Sequence, residues 1–446
     1  MTYRDVGAPS TIPAGQWPSI PLSRYSRAFI LLVVTLYIAI FAYEIPQIGM
    51  VPVSPKYFVM ILGIFVLSVR MGSNRMLMVV QTMPLFIMLY FLFNLLMLFS
   101  NPSTRYATMP LEALASYAII CAYSSNGGEN AEKVTRIVVV LLVLSALWMI
   151  LSGAIQEPFF SIRKFLYSGH AQRFTTGELD LRNPTGLTFN HFAMGYQLTC
   201  AGVMLPILLL ADKRRRLLWS VGCLVVSVAI VLSGQRSVLP AVGLALLLYM
   251  ICTRRFPLLL LVGVVTGIAY AAVSSLSLQL NPEYDIVMKL QRKDEMAARL
   301  GWQMAAMRVI MEHPLGNLNG DLAWVERAME HGADFSIYNW TKFATHNSYL
   351  ESILMLGWGG AILMFLSITH MFKRWILPVL RINKAAGDQW YYLPAVVYAL
   401  VALMVQALFH NSSIFTVEPV SWITVCLAGG WIICYRNAQI TRSVAT

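Results

Sequence analysis

The chain reads as an all-α, polytopic membrane protein of about twelve spans, and three observations predict this. Its 446 residues are 58% hydrophobic and only 12% charged, with a mean hydropathy of +0.64. A soluble domain carries roughly twice that charged fraction. The apolar residues fall in runs of spanning length, and a backbone in hydrocarbon must satisfy its own hydrogen bonds, which a helix does internally. The basic residues cluster in every second loop, which is how membrane helices are oriented with those loops in the cytoplasm.

Taken in order, residues 1–26 are polar and rich in Pro and Ser and are expected to form a cytoplasmic N-terminal tail. The next run lacks a small-residue cleavage site, so it is expected to remain as a span rather than leave as a signal peptide. Residues 27–277 hold the first nine expected spans, at 27–45, 56–70, 76–99, 107–124, 134–154, 190–211, 216–233, 237–252 and 257–277. They include a long outer loop at 155–189. Residues 278–347 form a larger outer loop. Residues 348–446 hold spans at 348–371, 391–410 and 416–435 and a cytoplasmic C-terminus. The two halves show no visible repeat.

A net charge of +12 raises the question of nucleic acid. The positions exclude it. Arg70 and Arg75, Lys133 and Arg136, Lys213 to Arg216, Arg254 and Arg255, Lys373 to Lys384, and Arg436 all lie in or beside loops on one side, with no basic patch interleaved with aromatics. The expected surroundings are a lipid bilayer, with both termini cytoplasmic. The six cysteines lie in or at the ends of apolar runs without a CxxC pair, so small buried thiols are expected rather than a disulfide framework or a thiolate metal site.

The outer side carries the candidate chemistry. Thr345 to Gly360 joins a polar loop to an apolar run. Ser348 and Glu351 have capping-box spacing, which starts a helix at Ser348 and leaves His346 in the loop before it. An imidazole suits proton transfer near neutral pH, though a capping or interfacial histidine fits as well. Asn347 stands beside it. Arg236 occupies a turn between two spans, too short to lift its side chain far from the bilayer. It either snorkels or meets an anion such as phosphate, which its planar fork binds bidentately. Leu300, Met304, Met307 and Met311 repeat as a helical stripe that Pro314 ends, an amphipathic helix for the membrane surface. Arg299 opens that expected helix, with Gln303 one turn on. It reads either as a solvated charge or as an anion ligand helped by the helix N-terminus. Arg173 and Arg182 in the first outer loop extend an anion site or are solvated. His410 sits in a turn expected at the depth of His346. His191, His313 and His331 add no HxH or HExxH pattern, and no metal site is expected. Gly357, Gly359 and Gly360 are expected to permit close helix packing.

Four stretches together resemble the O-antigen ligase and polysaccharide polymerase superfamily of bacterial envelope glycosyltransferases. They are SGQRS at 233–237, ARLGWQMAAMRVIMEHPLGNLNG at 298–320, THNSYLESILMLGWGG at 345–360 and, more loosely, RNPTGLTFNHFAMG at 182–195. The resemblance covers about residues 130–430 in order and spacing; the combination is specific, while no single stretch is. One departure is visible, where Asn317-Leu318-Asn319 separates Gly316 from Gly320.

The resemblance implies a membrane glycosyltransferase fold of the GT-C-like kind in a bacterial inner membrane. It implies an undecaprenyl-diphosphate-linked oligosaccharide donor and transfer on the periplasmic face, with inversion and without metal or cofactor. Carried over, Arg236 and Arg299 would neutralise the diphosphate and His346 would activate the acceptor hydroxyl, with Arg173, Arg182, Gln303, Asn347 and His410 binding substrate. The acceptor is expected to be a second lipid-linked glycan, as in a repeat-unit polymerase; the alternative is lipid A-core, as in a ligase. A lipid-linked glycan transporter is the rival from another class. It would need charges lining the spans, which are nearly charge-free.

Overall fold

The computed structural model describes residues 23–45, 54–99, 104–155, 158–166, 186–188, 191–254, 263–264, 267–268, 271, 293–316, 321–334, 345–381, 390–410 and 412–445. Among these residues the chain is all-helical, without strands. Five helices are long and apolar enough to cross a membrane, or six if one bent pair counts as a span. The chain is thus a multi-pass, all-α membrane protein by length and composition.

The helices are α1 (Arg24–Ala42), α2 (Pro55–Met71), α3 (Ser73–Gln81), α4 (Leu85–Leu96), α5 (Thr104–Ser116), α6 (Gly128–Ala154), α7 (Phe159–Leu166), α8 (His191–Ala211), α9 (Arg216–Ser233) and α10 (Val238–Thr253). Then follow α11 (Lys293–Glu312), α12 (Asp321–Glu330), α13 (Ser348–Met371), α14 (Tyr392–Gln406) and α15 (Pro419–Ala445). The stretch 76–99, expected as one run, is broken at Pro84, which has no N–H to continue a helix and stands as the N-cap of α4. The preceding pair, α2 and α3, bends by 111° at Gly72. The expected span at 257–277 lies almost wholly outside the described residues, as do Arg173 and Arg182 of the first outer loop, in which α7 and residues 186–188 are described.

Burial separates an inner helix from a lipid-facing shell. In α8, 89% of the spanning window is buried, against 39% in α9 and 39% in α1. Helix α8 packs against α6, α9, α10 and α14. The outer helices keep apolar stripes bare, such as Phe58, Ile61, Phe65 and Val69 on α2. Such contiguous apolar surface is costly in water and neutral in hydrocarbon. All six cysteines are free thiols, and four of them are buried.

A second, smaller apolar cluster sits over the start of α13. Trp302, Ala305, Ala306, Val309 and Ile310 of α11 pack on Trp324, Val325 and Ala328 of α12 and on Leu354. Helix α11 therefore buries a face other than the predicted stripe and carries apolar residues on both. Its Leu300, Met304, Met307 and Met311 are all exposed. It ends at Glu312, followed by Pro314.

Helix α13 is not continuous. Gly357 adopts φ 65° and ψ −164° inside it. The turn after α11 enters this break: Trp358 N–H donates to the Pro314 carbonyl at 2.9 Å. A Cβ on Gly316 would lie 2.3 Å from Gly357 N, and one on Gly357 would lie 2.4 Å from Pro314 O. Two backbones touch here with no room for side chains. Gly357 thus admits a turn into a broken helix, a different use from the close helix packing expected of it. Gly359, whose Cβ would come within 3.0 Å of Phe93 Cζ, does pack closely on a neighbouring helix.

Candidate functional site

One end of the bundle gathers residues that are far apart in the chain. His346 is 3% exposed and has φ 51°, a left-handed conformation that costs a side-chain-bearing residue about 1–2 kcal/mol. Such strain persists only where surrounding contacts hold it. Thr345 Oγ1 donates to the Asn347 carbonyl at 2.7 Å and accepts from Asn347 N–H at 3.2 Å. Ser348 N–H donates to the Ala407 carbonyl at 2.9 Å. This last bond ties the His346 loop to the segment leading to His410.

The helix begins at Ser348 as predicted, but its cap lies one residue earlier. Asn347 Oδ1 accepts from Tyr349 N–H at 3.0 Å and from Leu350 N–H at 3.2 Å. An amide oxygen at the N-cap satisfies donors that the helix leaves bare. Glu351 does not close a box on Ser348; its carboxylate accepts from Thr345 N–H at 3.5 Å. The Asn347 oxygen is therefore committed to capping.

Three aromatic residues define the walls. The His346 ring lies nearly parallel to Trp302, with centroids 6.0 Å apart and planes 23° apart. Phe192, at the start of α8, has its ring 6.4 Å from His346 and 5.5 Å from His410. Tyr196, one turn further, lies 5.7 Å from the His410 ring. The two histidines thus share one aromatic neighbour.

The Arg236 turn closes on the same place. Helix α9 ends at Ser233, and Gly234 takes the left-handed φ of 57° that lets the chain reverse. Ser237 Oγ and His410 Nε2 share a hydrogen bond of 2.5 Å. Gln235 lies on Gly195 of α8, where an added Cβ would fall 1.7 Å from Gln235 Oε1. Arg236, between these two anchored residues, is half-buried.

Arg299 stands one helical turn before Trp302 on α11 and is half-buried, as is Gln303. Its Nε has no hydrogen-bond partner among the described residues. The helix does not open at Arg299, however. It starts at Lys293, so the amide end of α11 lies more than a turn away, too far for its dipole to help an anion there.

The structure therefore brings His346, His410, Ser237 beside Arg236, and Trp302 beside Arg299 to one end. Arg173 and Arg182 are outside the described residues. Among the described residues no group of three or more His, Cys, Asp or Glu side chains could hold a metal ion. Sequence reasoning missed Phe192, Trp302, Ser237 and the buried Glu418. That carboxylate accepts from Val420 N–H at 3.2 Å and Ser421 N–H at 2.6 Å and lies within electrostatic reach of Tyr196. The sequence marks for it were Glu418-Pro419, an N-cap followed by proline at the first helical position.

No family model matches the chain and no curated protein matches it. Fold and site together define an apolar helical bundle with a buried histidine pair and flanking arginines at one end.

Proposed function

We propose that the protein is a glycosyltransferase that uses an undecaprenyl-diphosphate-linked glycan at the periplasmic face of a bacterial inner membrane. The observation that supports this reading is the gathering of His346, the Arg236 turn and the Arg299 helix face at one end of the helices. In the proposed reaction His346 takes the proton of an acceptor hydroxyl. That oxygen attacks the anomeric carbon, the bond from that carbon to the diphosphate oxygen breaks, and the electron pair leaves on the diphosphate. Arg236 and Arg299 stabilise the departing charge, so no strong general acid is required. The exposed Leu300, Met304, Met307 and Met311 face suits contact with the bilayer surface, where a lipid-borne diphosphate lies.

The fuller topology belongs to the same proposal: about twelve spans of the GT-C-like kind and both termini cytoplasmic, following the basic loops. The favoured acceptor is a second lipid-linked repeat unit, which makes the protein a surface-polysaccharide polymerase, with lipid A-core as the alternative acceptor. The test is direct. Purified protein in lipid receives the donor with either acceptor and no added metal, and the release of undecaprenyl diphosphate and the sugar gained by each acceptor are measured. Turnover with one acceptor identifies it. Failure with both, or a requirement for magnesium, contradicts the mechanism.

A further inference from the structure

A cavity of about 900 Å³ opens at the other end of the same helices. That is the size of a small-molecule site. Four corners enclose it: Ser125–Glu129 and Glu132 around the start of α6, Ala211–Arg215 from the end of α8 to α9, Trp390–Tyr391 ahead of α14, and Cys434, Asn437 and Ala438 within α15. Helix α8 starts beside Phe192 and the histidines and ends on this cavity. Its 21 residues make a rod of about 30 Å, so the two places are distinct.

The cavity wall carries Glu129, Glu132 and Asp212 against Lys213, Arg214 and Arg215, and Lys133 and Arg136 just behind it tip the local balance to positive. Asp212, 2% exposed, accepts from Arg215 Nη1 at 3.0 Å, Trp219 Nε1 at 3.2 Å and Tyr392 Oη at 3.4 Å. Its Oδ1 accepts from Arg214 N–H at 3.2 Å. Burial opposes its charge, but the Arg215 and Trp219 hydrogen bonds and the Arg215 charge together hold its carboxyl below the usual value. Glu132 pairs with Arg215 at 3.4 Å and Arg136 at 3.6 Å. Glu129 pairs with Lys133 at 2.6 Å. Every carboxylate on the wall is thus already neutralised. Lys213 and Arg214, both exposed, have no carboxylate partner among the described residues.

The rest of the wall suits a ligand rather than a plug. Trp390 is fixed by Trp431 and Tyr435, at 6.0 and 5.3 Å between rings. A Cβ on Gly127 or Gly128 would meet nothing within 4 Å. We propose that this cavity is a second binding site, for a phosphate-bearing anion held by Lys213 and Arg214 against Trp390 and Tyr391. Two adjacent cations without a carboxylate partner among the described residues match a dianion, and the guanidinium fork matches its oxygens. A soluble nucleotide and an acidic phospholipid headgroup share this chemistry.

The test uses the full chain in phosphatidylcholine nanodiscs with two arms. In one, a fluorescent ADP analogue is titrated. In the other, phosphatidylglycerol replaces a rising share of the phosphatidylcholine. Tryptophan emission and the melting temperature are read in both. A saturable response is expected in at least one arm. The Lys213→Gln/Arg214→Gln variant weakens it by roughly tenfold or more, as loss of charge-assisted contacts does. Gly128→Trp, which fills the cavity, weakens it as well, and Lys213→Gln alone gives an intermediate loss. A response to the nucleotide only assigns a soluble ligand, one to the lipid only assigns a headgroup, and both together mean that phosphate is recognised whatever carries it. No saturation in either arm overturns the proposal, as does a response that both the double variant and Gly128→Trp leave within twofold of wild type.

Discussion

The two ends of α8 are built from opposite materials. Around Phe192 the walls are aromatic rings and imidazoles, and Arg236 and Arg299 stand in the segments that close on them. Around Ala211 the walls are ionic, and three carboxylates are saturated by neighbouring cations. The first end draws its residues from five separate stretches, near 192, 236, 299, 346 and 410. The second draws on four, near 125–132, 211–215, 390 and 434–438, but two of its ion pairs, Asp212 with Arg215 and Glu129 with Lys133, close within a single turn of chain. Ring contacts between distant helices shift when the helices shift, whereas pairs within one turn travel with it. Substitutions away from the chemistry should therefore disturb the histidine contacts more than those two ion pairs.

The strongest way to break this comparison is at the Gly316–Gly357 contact. Gly357→Val forces a β-branched residue into positive φ and drives its Cβ against Pro314 O, 2.4 Å away. Strain and overpacking together amount to about 2–5 kcal/mol. The folded fraction in detergent should collapse, and any transfer activity should go with it. Gly128→Ala at the ionic end, with open space at its Cβ, should fold normally by the same measurement.

Trp302→Ala comes next. The side chain is fully buried, donates to the Asp334 carbonyl at 2.7 Å and underlies the His346 ring. Its removal should lower stability by about 3–4 kcal/mol. Protease sensitivity should rise between α11 and α13 rather than near Asp212, a pattern that limited proteolysis can read.

Ser237→Ala removes only the bond to His410, which costs about 1 kcal/mol. Expression and melting should stay near wild type. Transfer should fall several-fold, because the Arg236 turn loses its tie to the histidine. Ser237→Thr, which keeps the hydroxyl, should restore most of it.

The smallest effect concerns pH. The folded Asp212 carboxyl is held below its ordinary value by its hydrogen bonds and Arg215. A depressed carboxylate stabilises the fold above its unfolded pKa, and that contribution is lost as pH falls through the folded value. Melting temperature should thus drop on the acid side in wild type and less so in Asp212→Asn.

These contrasts also set what the sequence could reveal. The ends of helices 216–233 and 348–371 were legible to the residue, because hydropathy and start signals act locally, but the break at Gly357 inside the second was not. The α11 stripe was legible as a period, but the face it marks is left exposed while a second apolar face packs. It could not tell that the opposite side carries Trp302 to His346, because that contact depends on where α13 lies. Pro84 was visible but was absorbed into an apolar run, and the break in the helix follows from its missing N–H. Asn347 and Ser348 stand one residue apart and cap about equally well, so local signals alone did not decide between them. The length of α11 before Arg299 was hidden because Lys293 to Ala298 lacks an apolar period. His346 and Arg236 were singled out because ionisable residues at the ends of apolar runs are conspicuous. Phe192 and Ser237 were not, since a phenylalanine or serine near a span end carries no such signal.

The central claim is that His346 acts on the acceptor. The most direct measurement compares the release of undecaprenyl diphosphate from the lipid-linked donor by wild type and by His346→Ala, each in lipid and each checked for an unchanged melting temperature. The account predicts a fall of at least about 100-fold, the contribution of a positioned general base. Release within a few-fold of wild type by a fully folded His346→Ala protein would contradict it.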